Sequence, residues 1–517
     1  MASFFLFIKN KSTIFNLKFG FFMPFYNQNF IHLLFEANKR MFFWIIIAII
    51  SLYLVIAISA AIEVLLDNHQ PSETIAWILI IMFLPIVGLL LYYFFGQDIR
   101  RERAFTKKYL DQLTHKLMAK YVAQEGSVEA SRLDLSLINF LENHNFSLPF
   151  TQNAVSTYLS GDDFISRLIH DIGHARHHIH LEFFIFENDS VGRLVRDALI
   201  DAVRRNVEVR LIYDDVGCWG VSKHFFNFMR QSGIHTANFM PVRFHRFAHR
   251  INYRNHRKLV IIDGNIGYIG GMNIAKRYVR PVKGRLWYDT QLRIFGRGVY
   301  GMQLLFLMDW LSATKEVISD PVYYPTIEPR PTGGQDILLQ IVSSTPFMSW
   351  PTIMLSYNKI IHNARKYILI QTPYFMPTPS LIESLQMAAM SGVKVEIMIP
   401  EDAGNFWMTW CNRSYFGDML KAGVDIYLYT KGMLHSKTLI VDDHFCSIGS
   451  ANLDFRSMLD TFEDSAFIYD DRYAQEYKSH FVAAKGECKK IDFQEWKTRT
   501  IWTRITESFV RVLSPLF

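Results

Sequence analysis

The sequence predicts an α/β protein made of a duplicated unit behind a two-helix membrane hairpin, and three observations predict it. Two long stretches near the N-terminus carry no charged residue. From about residue 150, helical and strand-like stretches alternate and then recur in the same order. A short motif of histidine, lysine and aspartate occurs once in each copy.

The membrane segment comes first. Residues 41–62 and 74–96 are uncharged, and each, as a helix rising about 1.5 Å per residue, reaches roughly 30 Å, the thickness of a hydrocarbon core. The link between them carries Glu63, Asp67 and Glu73 without Lys or Arg. Lys39 and Arg40 precede the pair, and Arg100, Arg101, Arg103, Lys107 and Lys108 follow it, so both ends are expected on the cytoplasmic side. Ser59-Ala60-Ala61 is similar to a signal-peptide cleavage site, but the apolar run is long for one and a second follows at once. Pro85 is expected to kink the second helix. Residues 1–40, rich in Phe with Lys9, Lys11 and Lys18, read either as an interfacial arm or as an extension ahead of a start at Met23 or Met41.

Composition agrees with membrane contact. Half of the 517 residues are hydrophobic and 15% are aromatic, enough for two or three domains and a large core. Lys and Arg outnumber Asp and Glu by 55 to 48, a net +7 that suits an anionic lipid surface or nucleic acid and alone excludes neither. Cys218, Cys411, Cys446 and Cys488 lie far apart with no C-x-x-C pair, which argues against a zinc ribbon or a disulfide framework and for buried free thiols.

After a polar connector over 97–150, residues 162–175 and 191–206 read as helices and 179–186 and 207–213 as strands, the last closed by Asp214 and Asp215. The order returns with a helix end and strand over 364–372, a helix over 381–390 and a strand over 393–399 closed by Glu401 and Asp402. This predicts domains at 151–330 and 331–483, with an amphipathic C-terminal helix in 484–517.

The motifs are Asn255-His256-Arg257-Lys258 running on to Asp263, and Leu434-His435-Ser436-Lys437 running on to Asp442, both H-x-K-x4-D. In a strand, residues two apart share a face, so each His and its Lys are expected to enter one common site. Asp263 and Asp442 belong to the catalytic motif, yet their odd spacing from the lysines turns them elsewhere, toward a structural role. Fourteen residues after each His stands a glycine, Gly270 and Gly449, and seventeen after each an asparagine, Asn273 and Asn452. Cleaving a phosphodiester needs a nucleophile, a proton for the leaving alkoxide and cations around the phosphoryl oxygens. Two histidines and two lysines supply all of these without a metal or cofactor, and the asparagines add amide donors to the phosphate.

At these residues the stretch from about Asn153 to Asp470 resembles the phospholipase D superfamily, and within it the bacterial cardiolipin synthases. Carrying segments are Tyr213-Asp214-Asp215-Val216-Gly217, the two motifs, Gly270-Gly271-Met272-Asn273, the run Gln371-Thr372-Pro373-Tyr374-Phe375-Met376-Pro377, and 449–457 with Ser450 where the first copy has Gly271. The resemblance implies α/β/α sandwich domains joined as one pseudo-twofold catalytic unit. It also implies that two phosphatidylglycerol molecules give cardiolipin and glycerol through a phosphatidyl-histidine. On it, His256 is the nucleophile, His435 protonates the leaving group, and Asp289 and Glu463 orient the histidines, each assigned to the motif upstream of it. Partners are then phosphatidylglycerol and the bilayer, implied to be a bacterial inner membrane with the catalytic domains on its cytoplasmic side, rather than nucleic acid, with phosphatidylethanolamine open as a second donor. The competing readings are a hydrolytic phospholipase D or nuclease and an inactive membrane scaffold.

Two further signals stand in the sequence. His174, His177, His178 and His180 crowd together without a carboxylate or cysteine at ligand spacing, so no metal is expected. Ile501, Ile505, Phe509, Val512 and Leu513 recur at helical spacing near Arg499, Arg504 and Arg511, a stripe suited equally to a bilayer surface or to docking on the catalytic part.

Overall fold

The computed structural model describes residues 28–66, 71–84, 86–92, 132–242, 253–281, 284–327 and 336–514. Most of the N-terminal arm, Pro85, much of the connector and the 330/331 boundary lie outside them. The chain divides into an N-terminal unit, 1–97, and a second unit, 98–517.

In the first unit, helix α1 (Gln28–Leu66) starts well before residue 41, and its segment Phe35–Leu66 is long and apolar enough to cross a membrane. The second predicted span is instead interrupted. Helix α2 (Pro71–Phe83) has 13 residues, about 20 Å, and a short helix α3 (Val87–Leu91) follows the break, with Ile86 at φ 68°. A proline at 85 has no amide to donate and disfavours α geometry at the residue before it. The two arms still pack as a hairpin: Val64, Ile81 and Tyr92 are buried together, and Tyr53 donates to the Ile81 carbonyl at 2.6 Å.

The second unit is organised by one mixed sheet. Its first-half strands are β1 (Phe150–Tyr158), β2 (His178–Phe183), β3 (Glu208–Asp214), β4 (His235–Phe239), β5 (Lys258–Ile262), β6 (Ile266–Gly270) and β8 (Gln291–Phe295), with β7 (Leu286–Tyr288) outside the sheet. The second half supplies β9 (Ile337–Ser344), β10 (Tyr367–Gln371), β12 (Lys394–Pro400), β13 (Asp425–Tyr429), β15 (Thr438–Val441), β16 (Phe445–Gly449), β18 (Glu463–Tyr469) and β19 (Cys488–Lys490). Outside the sheet are β11 (Phe375–Met376), β14 (Gly432–Leu434) and β17 (Leu453–Asp454). The order is β19-β13-β12-β10-β15-β16-β18-β9-β1-β8-β6-β5-β2-β3-β4. Outward from the antiparallel β1–β9 contact, seven strands on one side repeat seven on the other, and β19 adds an edge to the second half alone. The repeat read from the sequence is therefore a pseudo-twofold about β1 and β9, and the strands expected near 179–186, 207–213, 364–372 and 393–399 are β2, β3, β10 and β12.

Helices cover both faces. They are α4 (Arg132–Asn145), α5 (Gly161–His174), α6 (Ser190–Arg204), α7 (Lys223–Gln231), α8 (Val299–Thr314), α9 (Thr352–Asn363), α10 (Pro379–Met390), α11 (Phe406–Lys421), α12 (Phe455–Leu459), α13 (Asp471–Lys485), α14 (Phe493–Lys497) and α15 (Ile501–Leu513). On one face, α8 and α13 share a single core that runs through both halves, for example Phe306 and Ile294 with Ile468 and Phe481. Two separate cores occupy the other face, one under α5 to α7 and one under α9 to α11. Alternate residues of each strand enter the two layers, as the period of two requires.

Three expectations change here. Part of the connector is ordered, because α4 buries Leu137, Ile138 and Leu141 in the second-half core. Residues 484–517 form β19, α14 and α15 rather than one helix. Finally, α15 docks on α11 through Val510 and through Glu507, which pairs with Arg413 and Arg499, while Ile501, Ile505, Phe509 and Val512 of the apolar stripe stay exposed. The histidine cluster divides: His174 and His177 are exposed, whereas His178 and His180 are buried, with His178 Nε2 and His180 Nδ1 bonding the two ends of the Gln303 carboxamide at 3.0 and 2.9 Å.

His444 clamps α4 to the sheet, with Nε2 2.6 Å from Asp134 Oδ2 and Nδ1 on Asp471. The bond to Asp134, foremost, raises its pKa to about 9. A folded-state pKa above the unfolded value of about 6.5 contributes stability in full below pH 6.5 and loses it as pH rises through 9. His444→Gln is therefore expected to lower Tm at pH 6 and to change it much less at pH 10, read by thermal unfolding.

Candidate active site

Strand parity aims the four motif side chains. Along β5, Val260 and Ile262 lie in the core under α5 to α7, and Leu259 and Ile261 in the layer of α8. Lys258 and His256 fall on the parity of Val260. On β15, Leu439 and Val441 face α9 to α11 and Ile440 the other layer, so Lys437 and His435 keep the parity of Leu439. The intervening residues point oppositely: Arg257 ion-pairs with Asp309 of α8, and Ser436 Oγ lies 3.0 Å from Thr290 Oγ1, itself 2.7 Å from the Tyr477 hydroxyl of α13. Histidines and lysines thus emerge on the face where the two half-cores separate.

The halves are stitched together at this point by crossed contacts. β14 pairs with β7, Leu434 opposite Tyr288, and in the related position Asn255 bridges Phe462. The next residues repeat the crossing: His435 N–H donates to the Tyr288 carbonyl at 2.7 Å, and His256 N–H to the Phe462 carbonyl at 2.9 Å. One residue further, the side chains cross too. His256 Nδ1 lies 3.0 and 3.1 Å from the two oxygens of Glu463, and His435 Nδ1 lies 2.6 Å from Asp289 Oδ2. Each imidazole is held by the acid of the opposite half. The sequence assignment of Asp289 to His256 and Glu463 to His435 is corrected: chain proximity misled, because β7 and β18 lead their acids across the pseudo-twofold.

Electrostatics follow from this packing. Burial opposes the charged form of Glu463, yet His256, Lys258 and Ser450 hold its carboxyl below the usual range, so it stays anionic. Burial pushes His256 down to about 4 against the pull of Glu463, with Lys258 and Lys437 both adding to the depression. A neutral imidazole with Nδ1–H donated to a carboxylate keeps its lone pair on Nε2. His435 is also held well below its usual pKa, by burial, then Lys437 and Lys258. Asp289 is raised to about 6 by burial against Lys437. The lysines are depressed by burial as well, Lys258 to about 7 and Lys437 to about 8, and each donates to the carbonyl of its own motif histidine. Aromatic rings wall the imidazoles: Phe184 stands 5.1 Å from His256, and Trp287, Tyr278 and Tyr374 stand 4.7, 6.1 and 6.5 Å from His435.

With this geometry in hand, comparison with known proteins is decisive. Residues 168–292 and 357–484, which bracket both half-sites, match the family described as cardiolipin synthase, PLD-like domain, and residues 55–97 match the phospholipase D-nuclease N-terminal family. The chain is 37% identical over 483 residues to the major cardiolipin synthase ClsA of Bacillus subtilis (strain 168), covering 90% of this chain and 98% of that protein. The chain belongs to the cardiolipin synthase family. It is an enzyme of the phospholipase D type. A cardiolipin synthase of Clostridium perfringens (strain SM101 / Type A) is 36% identical over 457 residues, covering 87% of this chain and 95% of that protein. Among solved structures, phosphatidylserine synthase of Haemophilus influenzae Rd KW20 shares the fold, with a TM-score of 0.56 at 15% identity over 75% of this chain and 99% of that one.

The remaining predicted residues of this cardiolipin synthase family member are placed as follows. Asp263 and Asp442 follow the far ends of β5 and β15, away from the motif histidines and lysines. Asp263 accepts the N–H groups of Arg176, His177 and His178, and Asp442 those of Arg365, Lys366 and Tyr367. Their catalytic assignment is corrected to a structural one, tying β5 to β2 and β15 to β10. Asp442→Ala is expected to cost about 2–3 kcal/mol of stability by stranding these amides, with kcat of the folded fraction close to wild type, measured by denaturant unfolding and turnover.

Asn273 is also re-read. Its oxygen accepts from Ile185 N–H and its amide donates to the Tyr278 hydroxyl, so it braces the loop and has at most one N–H left for a phosphate. Asn452 differs, with a buried Oδ1 lacking a hydrogen-bond partner among the described residues. Gly270 and Gly449 allow close approach of the strands leading from the acids, since a Cβ would meet the Thr290 and Asp464 carbonyls at 2.4 and 2.1 Å. The Gly271/Ser450 difference is explained by the acids: a Cβ on Gly271 would lie 2.1 Å from Asp289 Oδ1, whereas the Ser450 hydroxyl donates to Glu463. Sequence reasoning missed Thr461, which donates to Glu463 at 2.8 Å, and Trp287 against His435. An aromatic-acid pair in each copy, Tyr288-Asp289 and Phe462-Glu463, was the available signal.

Proposed function

We propose that the enzyme transfers a phosphatidyl group from one phosphatidylglycerol to the terminal hydroxyl of a second, releasing glycerol and forming cardiolipin. The observation that supports this most is the crossed pair of carboxylate-held histidines flanked by two buried lysines. His256, neutral and with its lone pair on Nε2, attacks the phosphorus of the donor. His435 delivers a proton to the departing glycerol oxygen, and Lys258 and Lys437 stabilise the charge on the phosphoryl oxygens. The anionic phosphodiester offsets the lysines and Asp289 lies at Nδ1, so substrate favours the imidazolium that His435 needs. In the second step the acceptor hydroxyl gives its proton to His435 as its oxygen displaces Nε2 from phosphorus.

The cytoplasmic site on an inner-membrane hairpin belongs to the same reading, supported by the helix of Phe35–Leu66 and by the basic flanks. Purified protein given phosphatidylglycerol alone is expected to yield cardiolipin and glycerol. Phosphatidic acid without cardiolipin contradicts the proposal, and parallel reactions with phosphatidylethanolamine define the second donor. The lysines set a pH limit. With pKa values near 7 and 8 in the free enzyme, they lose their charge as pH rises, so kcat/KM is expected to fall through pH 7–8. A rate flat to pH 10 contradicts their role.

A further inference from the structure

A second charged site adjoins the catalytic groups and has no part in the chemistry so far assigned. It is a pocket of about 680 Å³ whose walls include Glu187, Asp189, Lys276, Arg277, Arg285 and Trp287. Trp287 joins it to the reacting centre. One side of the indole packs on His435, ring centroids 4.7 Å apart, and the Arg277 guanidinium lies 5.3 Å from the indole centroid. These two separations hold the guanidinium within about 10 Å of the imidazole.

Its lining carries three cations, Lys276, Arg277 and Arg285, against two carboxylates, Glu187 and Asp189. Asp189 is consumed by the backbone, its carboxylate accepting the N–H groups of Val191, Gly192 and Lys276. Arg285 pairs with Asp402 at 2.7 Å, and Arg277 pairs with the half-buried Glu187. The Lys276 ammonium makes no ion pair among the described residues and is left over. An arginine beside a lysine, both lining one pocket, is suited to an anionic oxygen cluster such as a phosphodiester.

We propose that this pocket binds the phosphodiester of the acceptor phosphatidylglycerol, with Arg277 and Lys276 as its cations, and so delivers that lipid's terminal hydroxyl to the phosphatidyl-histidine. The inference rests on the transfer reaction given above. Dimensions support it. In an extended glycerol headgroup the terminal hydroxyl oxygen lies about 6 Å from its own phosphorus, from ordinary bond lengths. A guanidinium carbon stands about 4 Å from a phosphorus it grips bidentately. Together these span the distance from Arg277 to His435. Binding exchanges Glu187 for phosphate on Arg277. The acceptor oxygen then forms its bond to phosphorus as the Nε2–P bond breaks, and the hydroxyl proton passes to His435. Water needs no such grip, so the pocket favours an anionic alcohol over hydrolysis.

The test is the product split of full-length protein in mixed micelles of phosphatidylglycerol. For the K276Q/R277Q double variant, cardiolipin formation is expected to fall at least tenfold with a raised apparent KM, while phosphatidic acid, from capture by water, rises as a share of product. R277K, which keeps the charge but loses the two-pronged grip, should fall between wild type and the double variant. K276Q alone, which breaks no ion pair among the described residues, should shift the split in the same direction and guards against misfolding of the double variant. A cardiolipin-to-phosphatidic-acid ratio unchanged from wild type in K276Q and in the double variant overturns the proposal. That outcome differs from failure of the underlying reaction, in which wild type itself makes no cardiolipin.

Discussion

Replacing His256 by Ala is expected to lower kcat by about 10⁴-fold or more, because the phosphatidyl group then has no nitrogen to rest on and the two-step route is closed. His435→Ala is expected to be comparably damaging with phosphatidylglycerol, but for a different reason, the loss of the proton that the glycerol oxygen needs. A donor with an acidic leaving group separates the two. With a p-nitrophenyl phosphodiester, which departs without protonation, the first-turnover release of p-nitrophenol should recover most of its rate in H435A, whose second step still lacks its base, and should not in H256A. The reverse pattern would exchange the roles. The structure favours the stated assignment, since His256 bonds an acid held anionic by three donors, and His435 an acid raised to about 6.

Glu463→Gln and Asp289→Asn are each expected to cost about 10²- to 10⁴-fold in kcat while the fold is kept, because an amide oxygen no longer stabilises a positive imidazole or fixes its tautomer. The crossing makes this specific. Glu463 acts through His256, so E463Q added to H256A should cost little more than H256A alone, and added to H435A it should cost much more. Asp289 should show the opposite partners. If E463Q instead proved silent only in the H435A background, the hydrogen bonds described would not be those that act in catalysis.

How far the sequence reached can be judged from particular residues. The duplicated α/β plan and the shared face of His256 with Lys258, and of His435 with Lys437, were legible because strand parity is a local property. The structural role of Asp263 and Asp442 was legible from the same parity, although the motif invites a catalytic one. What could not be read was anything set by the pseudo-twofold. The assignment of Glu463 to His256 joins residues 207 positions apart, through a bridge between Asn255 and Phe462 that no periodicity announces. Asn273 matched Asn452 in spacing, yet a tyrosine five residues on, Tyr278, takes up its amide. The first long apolar helix was legible, while the second predicted span stops at Phe83 and resumes at Val87, a break anticipated only as a kink at Pro85.

The most direct measurement is a rapid quench, in detergent denaturant at mildly alkaline pH that spares the acid-labile N–P bond, of enzyme mixed with phosphatidylglycerol, followed by peptide mass analysis and by counting glycerol released in the first turnover. A phosphatidyl adduct on the peptide carrying His256, with a burst of about one glycerol per active site, is the predicted result. Glycerol release without a burst, and no adduct on either histidine, would contradict it.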